Sequence, residues 1–186
     1  MKGIDDVDRK ILHLLSENPE LSQVDLAEQL KISQPGVSAR IHKLKKTGVL
    51  AHLVGIDVKK AQLFLAKLDM VTTDTERVLN SLEKCPLYLN SFLTSGRYNL
   101  TVLMMGENMR SIVSCVDSYL RPNPIIKEME FSLVVTPIRD FIVPLKPSLN
   151  KKKTTPCEKD CSNCTFYTNN RCLGCPASTN YRGILL

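Results

Sequence analysis

The sequence predicts an α+β protein in three parts: a helical N-terminal head, a β-α-β-β-α-β body and a small cysteine-rich C-terminal module. Apolar residues recur at helical spacing through the first 48 residues, and from residue 62 onward they alternate at strand spacing. Five of the seven cysteines then fall within the stretch 157–175. With 186 residues, 43% of them hydrophobic, the chain can bury more than one core. We expect these boundaries: head 1–60, body 61–146, linker 147–156 and tail 157–186.

The head is organised around residues 22–48, which are typical of two short helices joined by a tight turn. Ser22, followed three residues later by an aspartate, predicts one helix start by reciprocal capping. Ser33 and Pro35 predict the second helix start, because proline is tolerated in a first helical turn. A further helix is predicted over residues 4–17, so we expect three helices in the head.

The second helix of this pair carries a polar face without an acidic residue of its own. Its members are Gln34, Ser38, His42, Lys43 and Lys46. Short polar side chains near a helix N-terminus can reach base edges while basic side chains hold phosphates, so this face predicts sequence-selective binding of double-stranded DNA. The side chains expected at base edges are Gln34, Ser38 and His42, and those expected on phosphates are Ser33, Arg40, Lys43 and Lys46. Ser22 and Pro35 complete the predicted DNA-binding residues. The alternative is an ordinary helical hairpin with a solvated basic face.

Residues 49–57 combine apolar and β-branched side chains around Gly55. This composition predicts a small two-stranded wing directly after the helices, which would make the head a winged helix-turn-helix. His52 falls in the same segment, where it could contact the DNA backbone or could simply be exposed.

The body predicts the split ferredoxin-like order β-α-β-β-α-β. Its predicted strands are 62–71, 87–94, 98–105 and 127–135, with helices between the first two and over 108–120, and a last extended piece over 138–145. The strand patterns also predict a sheet with two apolar faces, of which the helices can cover only one. We therefore expect a homodimer or a higher homo-oligomer.

The chain resembles a known family over about residues 3–146. The segments IDDVDRKILHLL and LAEQLKISQPGVSARIHKLKKTGVL, with the hairpin SGRYNL in the body, resemble the Lrp/AsnC (feast/famine) family of transcription regulators. The resemblance implies a DNA-binding head and a RAM domain that dimerises through its sheet, and hence a pseudo-palindromic operator. It also implies a small-molecule effector near the hairpin, at Ser95, Gly96, Tyr98 and Asn99. The family pattern usually has Asp at the position of Asn99.

The tail reads C-x3-C-x2-C-x7-C-x2-C, formed by Cys157, Cys161, Cys164, Cys172 and Cys175. Two closely spaced CxxC pairs predict a metal centre, and the absence of histidine from the tail makes its ligands thiolates. A Zn²⁺ ion on the last four cysteines is one reading. A 4Fe-4S cluster is slightly favoured by the surplus fifth thiol and by the proline after the last cysteine. Disulfides or free thiols are the remaining alternative. Cys85 and Cys115 are expected to be small buried residues elsewhere.

Together these features predict a cytoplasmic DNA-binding regulator. The net charge of +6 lies at the two ends of the chain, no apolar run approaches the ~20 residues of a membrane span, and no signal-peptide core is present. An enzyme is not expected, because no nucleophile–base motif or phosphate loop is found. The tail would make the protein a redox or metal sensor. Two alternatives are a regulator with a purely structural zinc tail that responds to an effector, and a redox-relay or electron-transfer protein.

Overall fold

The computed structural model describes residues 3–51, 53–144 and 150–184. The chain divides into two compact units, Met1–Leu53 and Val54–Leu186. The first unit therefore ends earlier than the predicted head, and the second contains both the predicted body and the tail. His52 lies outside the described residues.

The first unit contains three helices: α1 (Asp6–Glu17), α2 (Gln23–Leu30) and α3 (Gln34–Lys46). The capping predictions are confirmed. The Ser22 hydroxyl accepts a hydrogen bond from the Asp25 backbone N–H in a reciprocal capping box, and the Ser33 hydroxyl caps α3. Lys31 adopts the left-handed conformation in the turn between α2 and α3. The buried core shared by the three helices consists of Ile11, Leu26, Ala27, Val37, Ile41 and Leu44.

The described part of residues 49–57 contains one strand, which does not pair within this segment, so the prediction that both wing strands lie here is wrong. Strand β1 (Gly55–Asp57) instead pairs antiparallel with β6 (Ile142–Pro144) in the second unit. The two backbones approach so closely that a Cβ at Gly55 would collide with the Val143 carbonyl. The apolar pattern of this segment thus reflects a long-range strand pair, which is why the domain boundary lies before Val54.

The second unit has the predicted β-α-β-β-α-β order. Its four-stranded antiparallel sheet runs β3-β4-β2-β5, the strand order of a ferredoxin-like fold. The strands are β2 (Phe64–Thr72), β3 (Tyr88–Leu93), β4 (Leu100–Gly106) and β5 (Ile126–Val134). The helices are α4 (Thr75–Leu82) and α5 (Met109–Cys115), and α5 continues as a π-helical turn over Val116–Leu120.

One face of this sheet is apolar and packs into the main core. Leu68 and Met70 of β2 lie in that core with the helix residues Val78 and Ile112, all of them fully buried. Side chains alternate along a strand, so the other face of β2 carries Lys67 and Asp69. Their ion pair measures 2.7 Å, and the Asp69 carboxylate also accepts a hydrogen bond from Thr101 at 2.5 Å. The prediction of two apolar faces is therefore wrong.

The tail folds as part of the second unit. It contains a 3-10 turn (Cys161–Asn163) and a single helical turn, α6 (Thr165–Thr168). Within the predicted linker, residues 147–149 lie outside the described residues, whereas Lys152 hydrogen-bonds through its backbone to Ala177 and Thr179, at 2.9 Å each. The described part of the linker is thus built into the tail.

No helix in the described ranges is long and apolar enough to cross a membrane.

Candidate nucleic-acid interface and cysteine cavity

Helix α3 buries one face and exposes the other. Its apolar residues Val37, Ile41 and Leu44 enter the core of the first unit. The exposed side chains along the helix are Gln34, Pro35, His42, Lys43, Lys45 and Lys46, with Ser38 half-buried among them. Lys45, which the helical pattern did not single out, thus joins the basic C-terminal turn. At the start of α2, the Ser22 hydroxyl contacts the Asp25 carboxylate at 2.7 Å.

Two cations of α3 are held by carboxylates of α1. Arg40 Nη1 lies 2.6 Å from Asp5 Oδ2 and 2.7 Å from Asp8 Oδ1. Lys43 Nζ lies 3.1 Å from Asp8 Oδ2 and also donates to the Gly3 carbonyl. Helix α3 therefore contains no acidic residue on this face, but aspartates at the start of α1 bind two of its cations. The sequence signal available is the pair of carboxylates Asp5 and Asp8 at the start of α1, which also form the capping box of that helix.

The carboxylate of Asp8 is fully buried, so its charge depends on these partners. Burial acts to raise the pKa of Asp8, but hydrogen bonds from Arg40 and Lys43 outweigh it, and the net shift is downward. The same hydrogen bonds, from Asp5 first and then from Asp8, raise the pKa of Arg40. Asp8 and Arg40 are therefore both ionised at neutral pH. Lys45 and Lys46 make no ion pair within the part of the chain that the structure describes, which leaves them available to an anion.

The predicted effector hairpin exposes Ser95 and Gly96 at its tip, where Gly96 has a φ of +122°. The Tyr98 hydroxyl donates to Glu130 Oε2 at 2.9 Å, and this hydrogen bond raises the pKa of Tyr98. Beside it, the Arg97 guanidinium lies 5.3 Å from the centre of the Tyr98 ring. The hairpin is thus fastened to strand β5.

The side-chain amide of Asn99 forms two hydrogen bonds with the backbone of β2. Its Oδ1 accepts from the Thr72 N–H at 2.9 Å, and its Nδ2 donates to the Thr72 carbonyl at 2.7 Å. The Asn99 side chain thus forms the pair of hydrogen bonds that the backbone of a neighbouring strand would form with Thr72. Aspartate could accept the first bond but could not donate the second, which gives a physical reason for asparagine at this position.

All seven cysteines of the chain line one cavity of about 80 Å³ in the second unit. The five tail cysteines, Cys157, Cys161, Cys164, Cys172 and Cys175, form one part of its wall. Cys85, just beyond α4, and Cys115, at the end of α5, lie on the body side. The prediction that Cys85 and Cys115 lie away from the tail cysteines is therefore wrong. The sequence carried no signal for this, because it does not show where the tail docks.

The thiols interact with one another. Interaction with the Cys85 thiol, burial and the nearby Cys157 and Cys175 raise the pKa of Cys115 well above its usual range. Burial raises the pKa of Cys175 to about 12. Elsewhere in the wall, the Gly174 N–H donates to Cys172 Sγ at 3.3 Å. The Cys115 and Cys175 thiols are therefore protonated unless a cation compensates their charge.

The arrangement does not converge on a point. Across the described ranges, no group of three or more His, Cys, Asp or Glu side chains is placed so as to hold a metal ion. The thiols surround a volume instead, and the predicted metal centre stays a prediction.

Further contacts that involve no cysteine fasten the tail to α5. The Ser111 hydroxyl, almost fully buried, accepts the Leu173 N–H at 2.9 Å. The Glu107 carboxylate, just before α5, accepts the Ile184 N–H at 2.9 Å and the Tyr181 hydroxyl. The tail is therefore docked on the body by its own hydrogen bonds.

Comparison with known proteins identifies the head and the body. A sequence model described as winged helix-turn-helix DNA-binding matches residues 4–51. The HTH-type transcriptional regulator LysM of Sulfurisphaera tokodaii is 30% identical over 121 residues, which cover 63% of this chain and 85% of that protein. The regulatory protein AsnC of Escherichia coli is 25% identical over 148 residues, covering 76% of this chain and 97% of that one.

Solved structures support the same fold. The crystal structure of PH0061 aligns with a TM-score of 0.65 at 22% identity, over 77% of this chain and 99% of that chain. The structure of E. coli AsnC aligns with a TM-score of 0.63 at 18% identity, over 73% and 95% of the two chains. The relatives are named as transcription regulators rather than enzymes, as the sequence predicts. The chain belongs to the Lrp/AsnC family of helix-turn-helix, DNA-binding transcription regulators.

Proposed function

We propose that this regulator reads its operator with the exposed face of α3, and that the α1–α3 ion pairs hold this face in place. The supporting observation is that the basic side chains of α3 fall into two groups, one bound in ion pairs and one exposed. Arg40 and Lys43 are bound to Asp8, whereas Lys45 and Lys46 are exposed at the end of the helix. A phosphate would compete with a buried carboxylate for Arg40 but would meet no such competitor at Lys46.

In this arrangement Gln34, Ser38 and His42 face base edges, and Lys45 and Lys46 hold phosphates. Ser33 and Ser22 cap helices whose N-terminal N–H groups can also approach the backbone. The experiment is a salt titration of DNA binding. Replacing Lys45 and Lys46 by Ala should reduce the slope of log K against log salt by about one unit per lost phosphate contact. Lys84→Ala, an exposed lysine of the second unit, is the matched control and should leave the slope unchanged. Equal slopes for all three proteins would refute the assignment.

The proposed assembly is a homodimer or higher homo-oligomer on a pseudo-palindromic operator. Family membership supports it, as do Phe92 and Leu93, whose side chains are 49% and 70% exposed on the edge strand β3. Two heads related by a two-fold axis would read half-sites about 34–36 Å apart, or a multiple of that distance. Sedimentation at micromolar concentration tests the assembly, and a stable monomer would refute it.

A small-molecule effector is proposed near the hairpin that contains Ser95, Gly96 and Tyr98. The structure of NMB0573 from Neisseria meningitidis, a complex with L-Met, has the same fold with a TM-score of 0.64 at 20% identity. Asn99 would act there through the backbone it holds, since its amide is bound to Thr72. A thermal-shift screen with free amino acids tests this proposal. Gly96→Val serves as the site variant, because a β-branched residue is strained at this positive φ.

A metal centre in the tail is the second candidate, and the convergence of the five tail thiols on one cavity favours it. Four thiolates on one Zn²⁺ lie about 2.3 Å from the ion and close around it, whereas a cluster occupies a volume and takes one thiolate at each iron. The cavity therefore favours a 4Fe-4S cluster over zinc. When bound, such a cluster supplies an oxidation-sensitive centre, and a DNA-binding chain would use it for sensing rather than for electron relay.

The test is an anaerobic absorption spectrum with iron, sulfide and zinc analysis of the freshly purified protein. Iron and sulfide with charge-transfer absorption support the cluster. One zinc per chain supports a structural tail in an effector-controlled regulator. No bound metal refutes both forms of the proposal.

A further inference from the structure

We infer that Cys85 and Cys115 of the body belong to the same metal centre as the tail cysteines, so that the centre is held between the two. This inference rests on the metal centre proposed above. It changes the tail from an appendage with its own cofactor into a segment whose docking on the body depends on that cofactor.

Cysteine is unevenly distributed along the chain. The first 84 residues contain none, and the seven that follow all line one cavity. Cysteine used only as a small apolar residue would also serve in the core of the first unit, which is built without it. A set that converges from α4, α5 and the tail is the pattern expected of thiols that bind one object.

Cys85 and Cys115 are far apart along the chain but line the same cavity. Cys85 lies just beyond α4, and Cys115 is the last residue of α5. The five tail cysteines line that cavity too, so one metal centre placed there would border thiols of both the body and the tail.

The two ends of the tail are attached to the body differently. Ser111 and Glu107 hold residues 173–184 by hydrogen bonds that involve no cysteine. The described hydrogen bonds of residues 157–164 are all local, such as that between Thr155 Oγ1 and Cys157 Sγ at 3.2 Å, so these residues meet the body only at the cysteine cavity. Loss of the centre should therefore free residues 157–164 while residues 173–184 stay docked.

The experiment compares two double variants of the full chain with the wild type. In Cys85→Ala/Cys115→Ala the body thiols are removed. In Ser114→Ala/Ser118→Ala one oxygen atom is removed from each of two other residues of the same cavity wall. Each protein is reconstituted anaerobically with ferrous iron and sulfide and, separately, with Zn²⁺. Bound metal and trypsin cleavage after the exposed Lys159 are then measured.

The expected result is at least a fivefold loss of bound metal in the cysteine variant, with cleavage after Lys159 as fast as in chelator-treated wild type. The serine variant should behave like the metal-loaded wild type. If the wild type binds metal and the cysteine variant binds it equally well, this inference fails while the tail centre stands. If the wild type binds neither metal, both fail. Equal losses in both variants would assign the effect to packing and would overturn the inference.

Should the double cysteine variant not fold, Cys85→Ser and Cys115→Ser carry the same comparison, because a serine oxygen can replace a thiolate as an iron ligand. For these variants the readout is the electron paramagnetic resonance spectrum of the reduced cluster. A ligand change shifts the spectrum, whereas a spectrum identical to that of the wild type overturns the inference.

Discussion

The first unit is stabilised by contacts among helices that follow one another in the sequence and by hydrogen bonds within single helix turns. The cysteine cavity, in contrast, is lined by residues from segments spread between positions 81 and 175. The head is assembled from caps, a small apolar core and one ion-pair network. The cavity exists only after the sheet has formed and the tail has docked. The comparison predicts that damage to the head stays in the head, while damage around the cavity alters tail and body together.

The largest effect should follow from Leu26→Ala. Leu26 is fully buried in the core of the first unit, and leucine-to-alanine changes in such cores cost about 2–5 kcal/mol. Because the two units have separate cores, the first unit should unfold while the second keeps its melting temperature. Calorimetry of the full chain measures this. A single transition that shifts as a whole would contradict the comparison.

Asp8→Asn should destabilise the head by roughly 2 kcal/mol, because it leaves Lys43 and one contact of Arg40 without their buried partner. The pKa of Asp8 is lowered in the folded protein, so its contribution is present above about pH 4 and is lost as the pH falls through the folded value. Melting curves between pH 7 and pH 3 should therefore converge for wild type and variant at the acid end. A difference that is independent of pH would argue against the ion pairs.

Asn99→Asp should destabilise the second unit by about 1–3 kcal/mol. It removes the donor that binds the Thr72 carbonyl and places a carboxylate against that oxygen. Denaturant unfolding measures the loss, with Asn90→Asp on the exposed part of β3 as the control. A variant as stable as the wild type would show that the amide does not fasten the sheet.

Ser111→Ala should have the smallest effect, about 1 kcal/mol, because one hydrogen bond to the Leu173 N–H is lost. The loss should be local. Hydrogen exchange at Leu173 should accelerate, while exchange in the core strand β2 should not change. Unchanged exchange at Leu173 would mean that the tail is held without this contact.

What the sequence predicted well depends on short-range order. Ser22 and Ser33 were identified as caps because a cap and its partner lie three residues apart. The ferredoxin-like order followed from alternating apolar residues, since each strand shows its own period.

What the sequence did not predict depends on pairs far apart along the chain. Arg40 meets an aspartate 32 residues away, and β1 finds its partner in β6. The sheet face that carries Lys67 and Asp69 is predicted to be apolar, but in β2 only Leu65 and Val71, on either side of this charged pair, are apolar on that face. Cys85 and Cys115 could be assigned to the tail cysteines only after the docking of the tail was known. None of these pairings produces a periodic pattern in the amino-acid sequence.

The ratio of specific to non-specific DNA affinity measures whether α3 reads base sequence. Duplexes selected by the wild type from a random pool are titrated against wild type, Gln34→Ala and Lys46→Ala at one salt concentration. We expect Gln34→Ala to relax discrimination at particular base pairs, by about 1–3 kcal/mol at each, and Lys46→Ala to weaken all duplexes alike. A Gln34→Ala protein that keeps the wild-type ratio of specific to non-specific affinity at every base pair would show that Gln34 does not read base sequence.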